Sequence, residues 1–296
     1  MEGSAMPIKV TLLGTGSPPP VMDRFGPSTL VEVGGEKFIF DAGRGALQRL
    51  WQLKIPFSEI SGLFLTHLNS DHIVGIPDLW LTGWIGQPWG GRKIPLRVWG
   101  PVGTKEMMAH LEKAFEFDIR ARSHYPREGA AIVAQDFTEG LVYEKNGVRV
   151  TAFEVDHGQV KPAFGFRIDY ERRSAVLSGD TCFNENLIRY SEGTDLLVHE
   201  VFAAPEELVR ASEKFRIIRA NHTPPDRAGG VFARVRPKLA LYTHLVLFGD
   251  VTVKDVVSQT RKTYTGPLEV GQDLMTVEVG EKVQVRRFSS GSDSAC

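Results

Sequence analysis

The sequence predicts an α/β fold: a four-layer αβ/βα sandwich in which two mixed β-sheets pack face to face with helices outside. Strand-like and helix-like segments alternate along the chain, and the strands come in two batches that are each followed by helices. No fixed-period repeat and no long linker divides the chain, so we expect one domain over residues 6–288. We expect residues 1–5 and 289–296 to be a tag or disordered tails.

The first batch of elements is recognised from short apolar runs and from turn residues between them. The predicted strands are 8–13, 28–33, 37–41, 62–65 and 96–99. Gly34 and Gly35 supply the turn between the second and third strands. A helix over 46–53 follows from the apolar face of Leu47 and Leu50, and Thr104 is expected to cap a helix that ends near Phe115.

The second batch repeats this arrangement. The predicted strands are 148–155, 164–170, 174–177, 195–199 and 239–243, with a closing hairpin over 274–279 and 283–287. The predicted helices are 205–215, 226–235 and 253–263. Pro224 and Pro225 directly precede Asp226, which is a typical helix start.

Composition and charge limit the classes of function. Of the 296 residues, 42% are hydrophobic and 24% are charged, with a formal net charge of -1. This balance argues against nucleic acid as a partner and favours a small-molecule substrate. Two cysteines, Cys182 and Cys296, do not make a disulfide framework. Because the sequence also shows neither a signal peptide nor an apolar stretch of about 20 residues, we expect a cytoplasmic protein without a membrane anchor.

The run from Thr66 to His72 is the most informative part of the chain. It follows the predicted strand 62–65 and precedes a predicted helix start, so His67, Asp71 and His72 share one tight loop. Imidazole and carboxylate are the ligands that catalytic zinc prefers. His157, Asp180, His222 and His244 also fall at or just after predicted strands, where sheet scaffolds place chemistry. The pattern predicts a metal site.

The same run resembles the H-x-H-x-D-H motif of the metallo-β-lactamase superfamily, with Asn69 in place of the middle histidine. Further matching motifs are Leu13-Gly14-Thr15-Gly16-Ser17, Phe40-Asp41-Ala42-Gly43 and Ser178-Gly179-Asp180-Thr181. Together they resemble the ribonuclease Z-like branch nearly from end to end. The resemblance implies a metallo-hydrolase, with a homodimer as one option.

The resemblance also implies a ligand assignment. One metal ion would be held by His67, Asn69 and His157, and a second by Asp71, His72 and His244. Asp180 would bridge the two, and Asp71 would also take part in catalysis. Zinc is expected, as one or two ions, with manganese as an alternative. A metal-bound hydroxide would then attack the substrate.

Asn69 leaves three interpretations open, because an amide oxygen is a poorer zinc ligand than an imidazole nitrogen. The site could hold a single metal ion through Asp71, His72, Asp180 and His244. It could hold two ions, the first weakly, which is the interpretation we favour. Finally, Asn69 could be an engineered change that silences turnover.

A second catalytic element is implied by the same family. There a glutamate orients a histidine that protonates the leaving oxygen, and Glu200 and His222 match these positions. The alternative is structural: Glu200 ends a strand and His222 caps the next helix. Asp41 and Thr15 are expected to support the site through hydrogen bonds, although Asp41 could equally cap a turn.

The substrate is the least determined feature. Trp80 and Trp84 could form an aromatic pocket wall, or they could pack as one face of a helix. The long basic arm that grips RNA in many ribonuclease Z enzymes is missing, so we expect small phosphodiesters or sulfate esters. The alternatives are β-lactams or lactones, tRNA 3′ processing, and a catalytically weakened metal-binding relative in which Asn69 limits turnover.

Overall fold

Two β-sheets form the centre of the molecule in the computed structural model, which describes residues 6–85 and 88–289. Residues 1–5 and 290–296, expected to belong to tags or tails, lie outside the described residues, as do 86 and 87. Among the described residues, the first sheet has the order β15-β14-β1-β2-β3-β4-β5-β6. Its strands are β1 (Ile8–Gly14), β2 (Ser28–Val33), β3 (Glu36–Phe40), β4 (Gly62–Phe64), β5 (Leu96–Gly100), β6 (Ile132–Asp136), β14 (Thr276–Val279) and β15 (Val283–Arg286).

The second sheet has the order β13-β12-β11-β10-β9-β8-β7 within the same residues. Its strands are β7 (Gly140–Lys145), β8 (Val148–His157), β9 (Val160–Tyr170), β10 (Arg173–Leu177), β11 (Leu196–Ala203), β12 (Leu239–Leu247) and β13 (Leu268–Val270). Both sheets are mixed. Strands β3 to β6 run parallel in the first sheet, and β10 to β13 run parallel in the second.

The core between the sheets is made by alternate residues of facing strands. Ile8, Val10 and Leu12 of β1 share one buried cluster with Phe166 and Ile168 of β9. Successive side chains of a strand point to opposite faces, so this alternation directs one set into the space between the sheets.

Helices cover both outer faces. They are α1 (Ala46–Gln52), α2 (Ser70–Ile73), α3 (Ile76–Ile85), α4 (Thr104–Ala114), α5 (Glu116–Ala121), α6 (Glu185–Tyr190), α7 (Glu206–Ala211), α8 (Glu213–Asn221), α9 (Pro225–Val235) and α10 (Val253–Thr260). One outer core lies under α1, α3 and α4, and another lies under α6, α9 and α10. The predicted four-layer sandwich is therefore confirmed. No helix in the described ranges has the length and hydropathy that crossing a bilayer requires.

Some elements differ from the prediction. The helix expected over 205–215 is two helices, because Ser212 adopts an extended conformation with φ -131° and ψ 124° between them. Strands β6 and β7 were not predicted, and both are only partly buried, so their apolar alternation is weak. Strand β12 continues to Leu247, well beyond the predicted end at residue 243.

The loop after β1 is held in place by one carboxylate. The Asp273 side chain, 4% exposed, accepts hydrogen bonds from the Thr15 and Phe25 amides and from the Thr15 hydroxyl at 2.8–2.9 Å. It also pairs with the Arg49 guanidinium at 2.8 Å. The Thr15 carbonyl in turn accepts from the Leu245 amide at 2.9 Å, next to His244. Asp273 thus connects the β1–β2 loop to helix α1, and the Thr15 carbonyl connects that loop to strand β12.

We expect Asp273→Asn to lower the free energy of unfolding by about 2–4 kcal/mol, because an amide cannot replace an ion pair and several accepted hydrogen bonds at once. Urea denaturation measures this change. Asp250→Asn, on an exposed turn, is the matched control and should change stability by less than about 0.5 kcal/mol. Equal effects of the two substitutions would contradict the role assigned to Asp273.

Candidate metal centre

The loop between β4 and α2 carries His67, Asp71 and His72, and it is fastened to the turn after β3. The Asp41 amide donates to the Phe64 carbonyl at 2.8 Å, and the Ala42 amide donates to the His72 carbonyl at 2.7 Å. A Cβ on Gly75 would lie 2.4 Å from the Gly43 carbonyl oxygen, so only glycine permits this close approach.

Asp41 orients two of the imidazoles. Its carboxylate accepts from His72 Nδ1 at 2.7 Å and from the Thr66 amide and hydroxyl, both at 2.8 Å. Because the Thr66 hydroxyl donates to Asp41, it accepts from His67 Nδ1 at 2.9 Å. Both rings therefore carry a proton on Nδ1 and present Nε2 to the interior. The structure places Asp41 behind the site as expected.

His157 is oriented in the same way from the second sheet. It ends β8, and its Nδ1 lies 2.8 Å from the Asn221 carbonyl oxygen, which can only accept. The His157 Nε2 consequently remains available as a lone-pair donor. Hydrogen bonds of this kind, on the nitrogen opposite the metal, are typical of histidines that bind metal ions.

Asp180 lies at the centre of the cluster, just after β10. Its Oδ2 atom is 3.4 Å from His72 Nε2 and 3.3 Å from His244 Nε2. The same oxygen is 4.0 Å from His67 Nε2 and 3.9 Å from His157 Nε2. One oxygen of the buried Asp180 carboxylate thus faces four imidazoles.

A β-bulge places His244. Between β11 and β12, one residue of β11, Glu200, is opposed by two residues of β12, Thr243 and His244. His244 accordingly has a left-handed backbone with φ 43°. A bulge redirects side chains locally, and here it brings His244 Nε2 to 3.4 Å from Asp71 Oδ2.

These residues fit a metal ion. His67 Nε2 and His72 Nε2 are buried and lack a hydrogen-bond partner within the described residues, which is costly unless another species satisfies them. His67, His157 and Asp180 form one possible ligand set, Asp71, His72 and His244 form a second, and Asp180, His222 and His244 form a third, each with ligand atoms within 4.8 Å of one another. Ligands on a tetrahedral zinc ion lie roughly 3.4 Å apart, close to these distances.

Burial and charge set the protonation of the cluster. Burial, with the neighbouring His72 ring, holds the pKa of His67 well below its usual value, so this ring is neutral at pH 7. Burial would raise the pKa of Asp180, yet the imidazoles of His244 and His72 outweigh it and hold that pKa well below its usual range. His67 and Asp180 thus have the protonation states that bind metal. Burial would lower the pKa of His72, but the Asp180 and Asp41 carboxylates outweigh it and raise that pKa well above its usual value, so His72 has to lose a proton when it binds an ion.

A histidine–glutamate pair adjoins the cluster. The His222 Nδ1 atom lies 3.1 Å from Glu200 Oε2, and the other Glu200 oxygen accepts from the Thr223 amide at 2.6 Å. Burial lowers the pKa of His222, but the Glu200 carboxylate more than compensates and raises it to about 9. The His222 ring centroid is 4.9 Å from that of His157. The pair can therefore hold a proton beside the metal ligands.

The predicted pocket wall is corrected by the structure. Trp80 and Trp84 are 0% and 1% exposed, and their indole N–H groups donate to the Ala130 and Pro126 carbonyls at 2.8 and 2.9 Å. Helix α3 turns both rings into protein rather than toward an open pocket, so the helix-face alternative is the right one. Asn69 precedes α2, is half-buried, and makes no side-chain cap.

Sequence reasoning missed two supporting residues. Asp273 was not singled out, because its partners lie 224–258 residues away along the chain. Ser178 was named only as part of the motif around Asp180, and its role was not predicted; its hydroxyl accepts from the Glu200 amide at 3.1 Å and so braces the strand that carries Glu200. No local pattern indicates either of these contacts. Thr15 supports the site through its backbone carbonyl.

Comparison with known proteins gives a consistent assignment. The family model described as "Beta-lactamase superfamily domain" matches residues 36–245. The ribonuclease Z of Mycobacterium marinum is 36% identical over 278 residues, which cover 92% of this chain and 99% of that protein. The metallo-beta-lactamase fold protein YhfI from Bacillus subtilis has a TM-score of 0.73 at 19% identity, covering 92% and 99% of the two chains. Human tRNase Z, short form, has a TM-score of 0.69 at 23% identity, with the same coverage.

These relatives overturn one expectation. From neutral charge and a missing basic arm, we expected a small-molecule substrate and considered nucleic acid unlikely. That expectation is wrong, because the relative that matches along nearly its whole length is named a ribonuclease. Net charge sums over the whole surface, whereas binding to phosphates depends on where the basic side chains lie.

The fold, the buried histidine–carboxylate cluster and the full-length similarity all agree. Both solved structures are less than 25% identical to this chain, so their similarity supports its fold and nothing further. The family model and the 36% identity go further and show the family. The chain therefore belongs to the metallo-β-lactamase superfamily, as a metal-dependent hydrolase of its ribonuclease Z-like branch.

Proposed function

We propose that this protein is an endonuclease that cuts precursor transfer RNA at its 3′ side. The full-length similarity to ribonuclease Z supports the substrate class. The observation that carries the chemistry is the His222–Glu200 pair beside the metal-ligand cluster, because RNA cleavage needs both an activated water and an acid for the leaving oxygen. We also propose that residues 6–288 form a single domain.

Zinc is the metal we propose, held by His67 and His157 on one side and by Asp71, His72 and His244 on the other. Asp180 would bridge the two sets, since its Oδ2 atom faces all four imidazoles. Asn69 would complete the first set weakly. When bound, such cations supply Lewis acidity that activates water and neutralises charge on the phosphoryl oxygens.

The protein's own groups do the rest of the work. Asp41, Thr66 and the Asn221 carbonyl hold the Nδ1 protons of three ligand rings, which directs their Nε2 lone pairs inward. Glu200 holds the His222 ring and favours its protonated form. His222 would donate that proton to the leaving ribose oxygen, and Glu200 would act as its positioning residue.

The first prediction concerns metal-dependent RNA cleavage. We expect the zinc-loaded protein to cleave a precursor transfer RNA with a 3′ trailer, and a chelator to abolish the reaction, because removing the ions removes the Lewis acid that would activate water. Gel analysis of the labelled transcript measures this. A protein that retains zinc but cleaves only β-lactams or sulfate esters would contradict the proposed function.

The second prediction concerns His222. We expect His222→Ala to lower the cleavage rate by about 10²–10⁴-fold at unchanged zinc content, because the leaving oxygen loses its acid. Single-turnover kinetics and metal analysis give the two values. His110→Ala, on the exposed face of α4, is the control and should match the unaltered protein. A loss of zinc with His222→Ala would instead identify His222 as a ligand, and the acid role would be wrong.

The third prediction concerns Asn69. We expect Asn69→His to tighten the weaker zinc site at least about tenfold, because an imidazole replaces a poor ligand. Titration of the metal-free protein with zinc measures the affinity and the number of ions bound. The control is Gln284→His on exposed β15, which adds an imidazole far from the cluster. If Asn69→His binds no more zinc than the unaltered protein, the weakened-site interpretation is wrong.

A further inference from the structure

A basic groove begins at His222 and extends between α7, α8 and α9. It has a volume of about 680 Å³, and four arginines line it: Arg210, Arg216, Arg219 and Arg227. His222 lines the same groove while its ring also adjoins the metal ligands. His222 therefore lies between the groove and the candidate metal centre.

Most of the positive charge in this groove is uncompensated. Arg219 pairs with Glu206 at 2.8 Å. In the part of the chain that the structure describes, no carboxylate lies within 4.0 Å of the other three guanidinium groups. Arg216 donates to the Arg210 carbonyl at 2.7 Å, which holds its side chain along the groove. Apart from Glu206, only Asp226 contributes a carboxylate to the lining.

The basic side of the groove follows from how α8 packs. Phe215 and Ile218 contact a small apolar cluster that contains Phe202 and Val246. Residues three apart share one helix face, so Arg216 and Arg219 lie side by side on the neighbouring face. The packing of α8 thus determines that Arg216 and Arg219 face the groove. Phe183, which is half-buried, also lines the groove and adds an aromatic ring.

We propose that this groove binds the RNA backbone next to the bond that is cut, an inference that rests on the proposed function. Guanidinium groups bind phosphate oxygens with two parallel hydrogen bonds, so clustered unpaired arginines favour a polyanion. An aromatic ring beside a basic groove suits single-stranded nucleic acid, because bases stack on it. The groove would fix the RNA strand so that its scissile phosphate reaches Asp180 and His222.

The test compares two double variants of the full-length, zinc-loaded protein. Arg216→Gln with Arg227→Gln removes two charges from the groove. Arg149→Gln with Arg172→Gln removes two from the other end of the second sheet: Arg149 is near the start of β8, which ends at His157, and Arg172 precedes β10, which leads to Asp180. Thermal melting verifies that both variants fold, and fluorescence anisotropy measures binding of a labelled precursor transfer RNA.

We expect the groove variant to bind this RNA about tenfold or more weakly. The slope of log affinity against log salt should also fall by roughly 1.4–1.8, because each lost phosphate contact contributes about 0.7–0.9. The control variant should stay within about twofold of the unaltered protein. Equal binding and equal salt slopes for the groove and control variants would overturn the inference.

Cleavage of the same transcript separates this inference from the proposed function. If the unaltered protein cleaves the RNA and the groove variant binds it normally, the groove inference is wrong and the proposed function stands. If the unaltered protein binds the RNA through the groove but never cleaves it, the groove inference stands and the proposed function is wrong.

Discussion

The whole centre of this protein depends on one constraint: two carboxylates and four imidazoles are buried together around Asp180 Oδ2. Such a cluster costs free energy unless each polar atom has a partner. The fold provides hydrogen-bond partners for three of the rings, through Asp41, Thr66 and the Asn221 carbonyl, whereas His244 Nδ1 has none among the described residues. Those same bonds fasten the loop after β4 and the end of β8 to their neighbours. The Nε2 atoms on the opposite side of these rings thereby remain available to a cation.

The structure brings together the histidine and aspartate side chains that the sequence singled out, and the sequence could indicate them because they lie near the ends of strands with clear apolar patterns. His67 follows β4 of the first sheet, Asp180 follows β10 of the second, and His244 lies in β12, so face-to-face packing of the two sheets brings them to one edge. The support of the site was harder to predict. Asp273 acts across most of the chain length, and the motif that contains Ser178 does not indicate that its hydroxyl binds the Glu200 amide on another strand. Local periodicity carries no record of such contacts, and the same limit explains why the half-buried strand β6 was missed.

Charge misled the prediction of the partner for a related reason. A net charge of -1 records only that acids and bases nearly balance. In the folded chain, many acids pair with bases on the outer surface, as Glu185 does with Arg234 and Glu278 with Arg286. The arginines of α7 to α9 are brought together near His222 by the fold. A basic surface can thus arise in a neutral protein without a separate arm, because potential depends on local arrangement.

The same structural elements position the proposed metal ligands and the His222–Glu200 pair. Glu200 opposes the bulge that carries His244, and the Asn221 carbonyl that orients His157 directly precedes His222. A shift of β11 or of the end of α8 would therefore move the proposed metal ligands and the proposed acid together. The Asn69 side chain takes no part in this support, since it makes no cap on α2 and the bonds that hold the loop come from Asp41 and Ala42. We consequently expect a change at position 69 to preserve the hydrogen bonds that hold the histidine and aspartate side chains of the cluster.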